Sequence, residues 1–277
     1  MDKAQGVSGT NANIGRDGSY MAKLMSPDAI HQEVLNAKTQ RRVGLLLAGA
    51  ILLSWLVLHV WLVFHFQLSL ATLPPALALV ALQTWLYVGM FIIAHDCMHG
   101  SLVPFRPRAN RLIGQVCLLL YAGFSFDKLN RAHHRHHQHA GTSADPDFHD
   151  APPHHFWPWF FKFFFEYFTF HQIILIAAVS AADIILLGAS PLNIVVFWAV
   201  PGLLSALQLF TFGTYLPHRP HEQPFHDRHN ARTNSYPQWL SLLTCFHFGY
   251  HHEHHLFPSA PWWRLPAIRS RRLPGGS

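Results

Sequence analysis

Histidine is the residue whose number and spacing in this sequence point to chemistry. The 277 residues include 23 histidines, more than the 20 lysines and arginines together. In three runs the histidines are spaced three or four residues apart, which is the repeat of an α-helix: His95 with His99; His133, His136 and His137; and His251, His254 and His255. Residues at i, i+3 and i+4 share one face of an α-helix, so each run predicts a helix with its imidazoles on one side.

These eight imidazoles are candidate metal ligands. Eight neutral nitrogen donors exceed what one tetrahedral zinc needs, so the set indicates two metal ions with coordination positions left open. His134 and His252 cannot begin the same pattern, since the residues four positions after them are not histidine. Cys97, inside the first run, lies on a different helical face from His95 and His99.

The elements that position these runs are predicted to be helices that cross a membrane. Half of the residues are hydrophobic and only 12% are charged, whereas soluble domains carry about 25% charged residues. Residues 43–66, 76–94, 173–188 and 192–216 each approach the roughly 20 apolar residues that span a bilayer. This composition excludes a soluble enzyme and a disordered chain, and three cysteines are too few for a secreted disulfide scaffold.

Two shorter apolar stretches, residues 112–126 and 156–170, are marginal as spans. We interpret both as helices that lie at the membrane interface or pack against the bundle, where Trp and Phe collect. The aromatic stretch 156–170 could line a lipophilic channel, but its composition favours an interfacial belt.

The distribution of charge predicts the orientation. All 20 lysines and arginines lie before the first span, between the second and third, or after the fourth. Cationic residues accumulate on the cytoplasmic side, so both termini and the histidine runs should be cytoplasmic. A helix over 76–99 extends about 36 Å, which carries His95 and His99 beyond a hydrocarbon core of about 30 Å. We therefore predict an all-α membrane protein with four long transmembrane helices and a cytoplasmic cap that holds a two-metal site.

The three runs and their places after the spans resemble the histidine boxes of the integral-membrane desaturase and hydroxylase superfamily. Within it, residues 95–100, 130–148 and 240–255 are similar to the bacterial-type β-carotene ketolases. The most specific stretch runs from Phe246 to His255 and is followed by Pro261-Trp262-Trp263. The resemblance implies a desaturase-like di-iron domain over residues 36–268, between a flexible N-terminal tail (1–35) and a C-terminal tail (269–277).

The resemblance also implies an activity. Members of the group use two iron ions and O2 to introduce a keto group at carbon 4 of carotenoid β-ionone rings, by two successive hydroxylations and loss of water. The implied substrate is β-carotene, with zeaxanthin as a further candidate. The implied partners are membrane lipids and a reduced ferredoxin-type electron donor at the basic cytoplasmic face. The net charge of +6 is attributed to lipid headgroups, because the chain has no nucleic-acid-binding motif.

A ninth ligand is implied by the same superfamily. Its desaturases have an extra histidine at the cytoplasmic end of the last span, and His218 occupies that place here. They also have an asparagine four residues earlier, where this chain has Thr214. The departure favours hydroxylation-type chemistry over desaturation.

Three carboxylates are candidates for orienting the ligand histidines, because such histidines usually donate their free N–H to a carboxylate or carbonyl. They are Asp96, Asp145 and Asp147; a helix cap or turn is an equal alternative for Asp145 and Asp147. His247, four residues before His251, is the best reserve ligand. Asp183, inside the third span, should face the bundle interior and hydrogen-bond to Gln208 or Asn193.

Two other functions remain open. A fatty-acyl desaturase or a carotenoid ring hydroxylase would use the same ligands with a different channel. A metal transporter with a histidine-rich loop is disfavoured, because transporters place their ligands at the membrane midplane, whereas these lie beyond its boundary.

Overall fold

The computed structural model describes residues 27–272, with the side chains of residues 36–271. Most of the predicted tail at 1–35 and the end of the C-terminal tail therefore lie outside the described residues. Every histidine run lies in the compact unit that begins at Gln40. The helices are α1 Pro27–Phe64, α2 Leu73–Met98, α3 Pro107–Ala122, α4 Phe126–His139, α5 Phe156–Tyr167, α6 Phe170–Leu187, α7 Pro191–His218, α8 Gln238–Cys245, α9 His251–Leu256 and α10 Leu265–Arg272.

Four of these helices are long and apolar enough to cross a membrane, which confirms the predicted all-α class. They are Asn36–Phe64 within α1, together with α2, α6 and α7. Each begins before the predicted stretch; α2, for example, starts with Pro74 and Pro75 in its first turn, where proline suits a helix N-terminus. The segment carrying the first histidine run is therefore one continuous helix as far as Met98.

The second run is placed by a sharp bend between α3 and α4. The two helix axes meet at 99°, and Gly123 ends α3 with a left-handed backbone (φ 70°) that a residue with a Cβ adopts only at a cost. Gln115 fixes the bend because its side chain binds the carbonyl of Phe124 and the N–H of Phe126, both at 3.0 Å. Residues 112–126 pack against α2 through α3, one of the two predicted alternatives.

The aromatic stretch forms α5 and has two different faces. Trp157, Phe161 and Phe165 are exposed, as the predicted interfacial belt requires. Phe163 and Phe164 point inward and line a cavity, so the channel interpretation also holds for this face.

The fourth span, α7, is interrupted twice by π-helical turns that its sequence did not predict. They cover Val195–Ala199 and Phe210–Tyr215. A π-helical turn adds a residue and rotates the following side chains, and such turns are frequent at functional sites. The second one ends three residues before His218.

The third run depends on a tight turn before α9. Phe246 and His247 both have left-handed backbones, with φ of 48° and 62°. The ring of Phe246 stacks on Trp85 of α2, with centroids 4.4 Å apart. This contact needs Gly89, because a Cβ there would lie 2.6 Å from the Phe246 ring.

The predicted pairing of Asp183 is wrong. Asn193 donates instead to the carbonyls of Leu62 (3.0 Å) and Phe66 (2.8 Å) at the end of α1. Gln208 donates to the carbonyl of Thr244 at 2.6 Å. Carbonyls at helix ends lack partners within their own helix and compete for such amides; Asp183 itself is only partly buried.

We expect Gly89→Val to destabilise the protein by about 1–3 kcal/mol, the usual cost of overpacking a core. The valine would collide with Phe246 and displace the turn before α9. Gly49→Val is the matched control, because it makes the same change in the middle of a helix where a Cβ meets nothing within 4 Å. Thermal unfolding in detergent would measure the difference, and equal unfolding temperatures for the two variants would contradict this account of the packing.

Candidate metal centre

Five of the predicted ligands converge at the end of α2. They come from three helices, and one ring nitrogen of each lies within 4.8 Å of the others: His95, His99, His133, His137 and His254. The Nε2 atoms of His99 and His133 are 2.7 Å apart, those of His133 and His137 3.1 Å, and those of His137 and His254 3.0 Å. We call this set the five-histidine group.

The other four predicted ligands form a second set, the four-histidine group. Its members are His136, His218, His251 and His255, all buried. The Nε2 atoms of His251 and His255 are 3.0 Å apart, and the rings of His136 and His218 meet edge to face at 4.7 Å. The structure thus brings together all nine predicted histidines, including His218 from α7.

The two groups divide each run in the same way. Histidines four residues apart stay together: His133 with His137 in the first group, and His251 with His255 in the second. The histidine at i+3 belongs to the other group in both runs, namely His136 and His254. Successive residues differ by about 100° around a helix, so His136 and His137 point towards different centres. The histidines of each of these two runs were predicted to share one helical face, and this face contributes side chains to both the five-histidine group and the four-histidine group.

The donor chemistry of both groups fits bound metal ions. The side chains of His95 and His218 each have a buried Nε2 without a hydrogen-bond partner among the described residues. Two nitrogens at right angles around a metal with bonds of about 2.1 Å lie about 3.0 Å apart, close to the separations here. Burial lowers the pKa of His251, His254 and His255 well below its usual value, and neighbouring imidazoles lower it further. Neutral rings keep the lone pairs that a metal needs.

Asp145 contacts one of these histidines. Both of its carboxylate oxygens lie 3.0 Å from Nδ1 of His136, and it accepts the N–H groups of Gly141 (3.0 Å) and Asp147 (2.9 Å). Burial alone would lower the pKa of His136, but the hydrogen bond and the charge of Asp145 raise it. The contact leaves Nε2 of His136 directed at the four-histidine group, as expected for a carboxylate that fixes a ligand tautomer.

The other two carboxylates have different partners. Asp147 lies 3.7 Å from Nδ1 of His136 and accepts the hydroxyl of Tyr167. Asp96 lies 3.5 Å from Nδ1 of His95, but that nitrogen has no hydrogen-bond partner among the described residues. Asp96 accepts instead the N–H of Trp262 at 3.2 Å, which attaches the segment after α9 to α2.

The structure separates the neighbouring histidines from both groups. His134 is exposed and contacts the carbonyl of Asn130 within its own helix, and His252 faces Asp227 at 2.8 Å. The reserve ligand His247 stacks on Tyr250 and Trp262. It was expected to share a face with His251, but the chain turns at residues 246–247 and α9 begins only at His251.

Sequence reasoning missed two parts of the site. His218 donates its Nδ1 hydrogen to the carbonyl of Asn230 at 2.7 Å, and a backbone acceptor leaves no signal in a sequence. Tyr167, the partner of Asp147, stands in an aromatic stretch that suggested only apolar packing.

An apolar cavity of about 310 Å³ leads to both groups. His95, His133, His136 and His251 form its polar end, together with Phe248, whose ring lies 4.5 Å from that of His95. Its walls come from α2, α3, α4, α5, α6 and α7. On α7 the lining runs from Ile194 to Thr214, 20 positions or about 30 Å of helix. The cavity is therefore long and narrow, and suits an extended apolar molecule that presents one end to the histidines.

Comparisons with known proteins show the family of this chain. The fatty acid desaturase family matches residues 70–182 and 169–275. The "Beta-carotene ketolase" of Paracoccus sp. (strain PC1) is 51% identical, over 82% of this chain and 92% of that protein. A second Paracoccus strain has a "Beta-carotene ketolase" that is 48% identical over the same shares. The "Zeaxanthin 4-ketolase" of Chlamydomonas reinhardtii is 41% identical, over 67% of this chain and 42% of that protein. The chain belongs to the fatty acid desaturase family and, within it, to the β-carotene ketolases.

Metal content should follow the two groups. We expect about two metal ions per chain in the wild type, and about one after His218→Ala, because this change removes a ligand from the four-histidine group alone. His252→Ala is the control, since it alters an adjacent histidine that points to Asp227. Elemental analysis of protein purified without chelators measures both. Equal metal loss in the two variants would show that the grouping is wrong.

Proposed function

We propose that this member of the β-carotene ketolases is an O2-dependent di-iron oxygenase that converts carbon 4 of carotenoid β-ionone rings to a ketone. The observation that carries the proposal is the junction of two imidazole groups with a long apolar cavity. The names of the relatives support a carotenoid as the substrate. They favour β-carotene, and zeaxanthin as a second substrate.

The five-histidine group and the four-histidine group would each hold one iron ion. Imidazole ligands suit iron, and open positions suit oxygen chemistry. Bound iron would supply the activation of O2. The protein would contribute fixed ligands, through contacts such as the one between Asp145 and His136, and a site from which water is largely excluded.

The cavity would position the ring. A β-ionone ring at its polar end would lie against Phe248 and beside His133, His136 and His251. The polyene would extend along α7 past Gly202 and Ile194. Holding the reacting carbon near the metals converts a collision into a step within one complex, which accounts for much of the rate that enzymes achieve.

The overall chemistry balances with an external electron donor. In each hydroxylation one oxygen atom of O2 enters a C–H bond at carbon 4, and the other leaves as water with two electrons and two protons. Two hydroxylations at the same carbon give a geminal diol, which loses water and leaves the ketone. Ketolation of one ring therefore consumes two O2 molecules and four electrons.

The electrons would come from a reduced ferredoxin-type protein on the cytoplasmic side. The outer face of α4 supports such a docking site, because Lys128, Arg131 and Arg135 are exposed there. The opposite face of the same helix carries His133, His136 and His137. Basic residues so close to the site would attract an acidic redox protein and shorten the path of the electrons.

Expression in cells that accumulate β-carotene tests the function. We expect 4-keto carotenoids, identified by chromatography and mass, and their loss after His136→Ala at equal protein level. His134→Ala should retain substantial activity, since this residue faces solvent. If the pigments were only desaturated, or hydroxylated only at carbon 3, the ketolase proposal would be wrong. A desaturase or a carotenoid ring hydroxylase would then be the better assignment.

The cavity can be tested at Gly202. A Cβ at this position meets nothing within 4 Å, and the residue lines the cavity. Gly202→Leu should lower ketone formation about tenfold or more, because the side chain would fill a narrow passage, while the loss of a helix glycine favours folding. Gly49→Leu makes the same change on an exposed face and should leave pigment yields unchanged. Similar yields from both variants would mean that substrate does not use this cavity.

A further inference from the structure

The cavity contains few polar side chains apart from the histidines, and most of these already have partners. Tyr167 and Asp147 are hydrogen-bonded to each other. Tyr121 is hydrogen-bonded to Ser205 at 2.7 Å. Thr214 lies on α7 four residues before His218 and lines the cavity, and none of the hydrogen bonds among the described residues involves its hydroxyl, in contrast to that of Thr211. Its side chain is nevertheless buried, with 6% of the residue exposed.

A free threonine hydroxyl is unusual in a helix of this protein. The other helical threonines near the site bond to the carbonyl four residues earlier: Thr84 to Val80, Thr211 to Leu207 and Thr244 to Leu240, at 2.7–2.8 Å. Such bonds are the ordinary way to satisfy this side chain inside an apolar bundle. Thr214 lies within the π-helical turn Phe210–Tyr215. Unlike that of Thr211 in the same turn, its side chain lines the cavity.

A hydroxyl that faces an apolar cavity without a partner is unfavourable unless a ligand satisfies it. β-Carotene, a hydrocarbon, cannot do so, but the product of a first hydroxylation can. That intermediate carries an oxygen on the carbon that must be oxidised again, and Thr214 can donate a hydrogen bond to this oxygen or accept one from it.

We propose that the Thr214 hydroxyl binds the carbon 4 hydroxyl of the half-oxidised ring and holds that carbon in place for the second oxidation. Thr214 is thus a positioning residue that favours ketone over alcohol. The proposal rests on the proposed ketolase function. The first oxidation should depend little on it, because the substrate of that step has no oxygen for Thr214 to bind.

The test is the fraction of 4-hydroxy product in β-carotene-accumulating cells. We expect Thr214→Val to raise the ratio of 4-hydroxy to 4-keto carotenoid about three- to tenfold, the worth of one hydrogen bond. Thr214→Ser keeps the hydroxyl and should stay near the wild-type ratio. Thr211→Val is the matched control, since Thr211 occupies the same π-helical turn but is bonded to Leu207 and faces a different groove.

A variant with lower overall activity could also accumulate 4-hydroxy product. Each variant is therefore compared with wild-type enzyme expressed at a level that gives the same total amount of oxygenated carotenoid. Thr214→Ala is a second variant without the hydroxyl, in case valine prevents folding. A wild-type product ratio in every folded variant that lacks the hydroxyl would overturn the role of Thr214. Absence of ketones from the wild type itself would instead overturn the ketolase function.

Discussion

The convergence of nine imidazoles on two centres is the constraint on which the rest of the structure depends. Their nitrogen lone pairs point at common centres from four helices, and several are about 3 Å apart. Lone pairs at this distance repel one another unless a proton or a metal ion lies between them. Metal binding would therefore contribute to folding as well as to catalysis, since the ligands are brought together only in the folded chain.

Each helix that carries one of these histidines is shaped by this requirement. The continuation of α2 as far as Met98 carries the first run to the end of the bundle, and the 99° bend after α3 turns the second run towards it. The left-handed turn at Phe246 starts α9 in the direction that the third run needs. Asp145 and the carbonyl of Asn230 then fix the rotation of single rings. Order in the site thus comes from backbone bends first and from hydrogen bonds second.

The spacing of His133, His136 and His137 predicted that these side chains gather with the other histidine runs, and the apolar stretches predicted the four long helices, because both patterns repeat with the period of a helix. The division of each run between two groups could also have been derived from helical geometry, since positions i+3 and i+4 lie on opposite sides of position i. The π-helical turns of α7 and the partners of Asn193 could not have been derived from the sequence. They arise from contacts between segments far apart in sequence, and the same is true of the turn that removed His247 from the site.

The loose packing of α6 has a consequence for the membrane in which the protein would lie. This helix has 18 residues, and only 6% of them are buried against the rest of the protein. Its length of about 27 Å is shorter than an average hydrocarbon core, whereas α2 and α7 are longer. A thicker bilayer would leave α6 in hydrophobic mismatch while its neighbours adjust by changing their tilt. Ile176 and Ser180 of α6 form one wall of the cavity. The width of the cavity would therefore vary with the acyl-chain length of the host lipids.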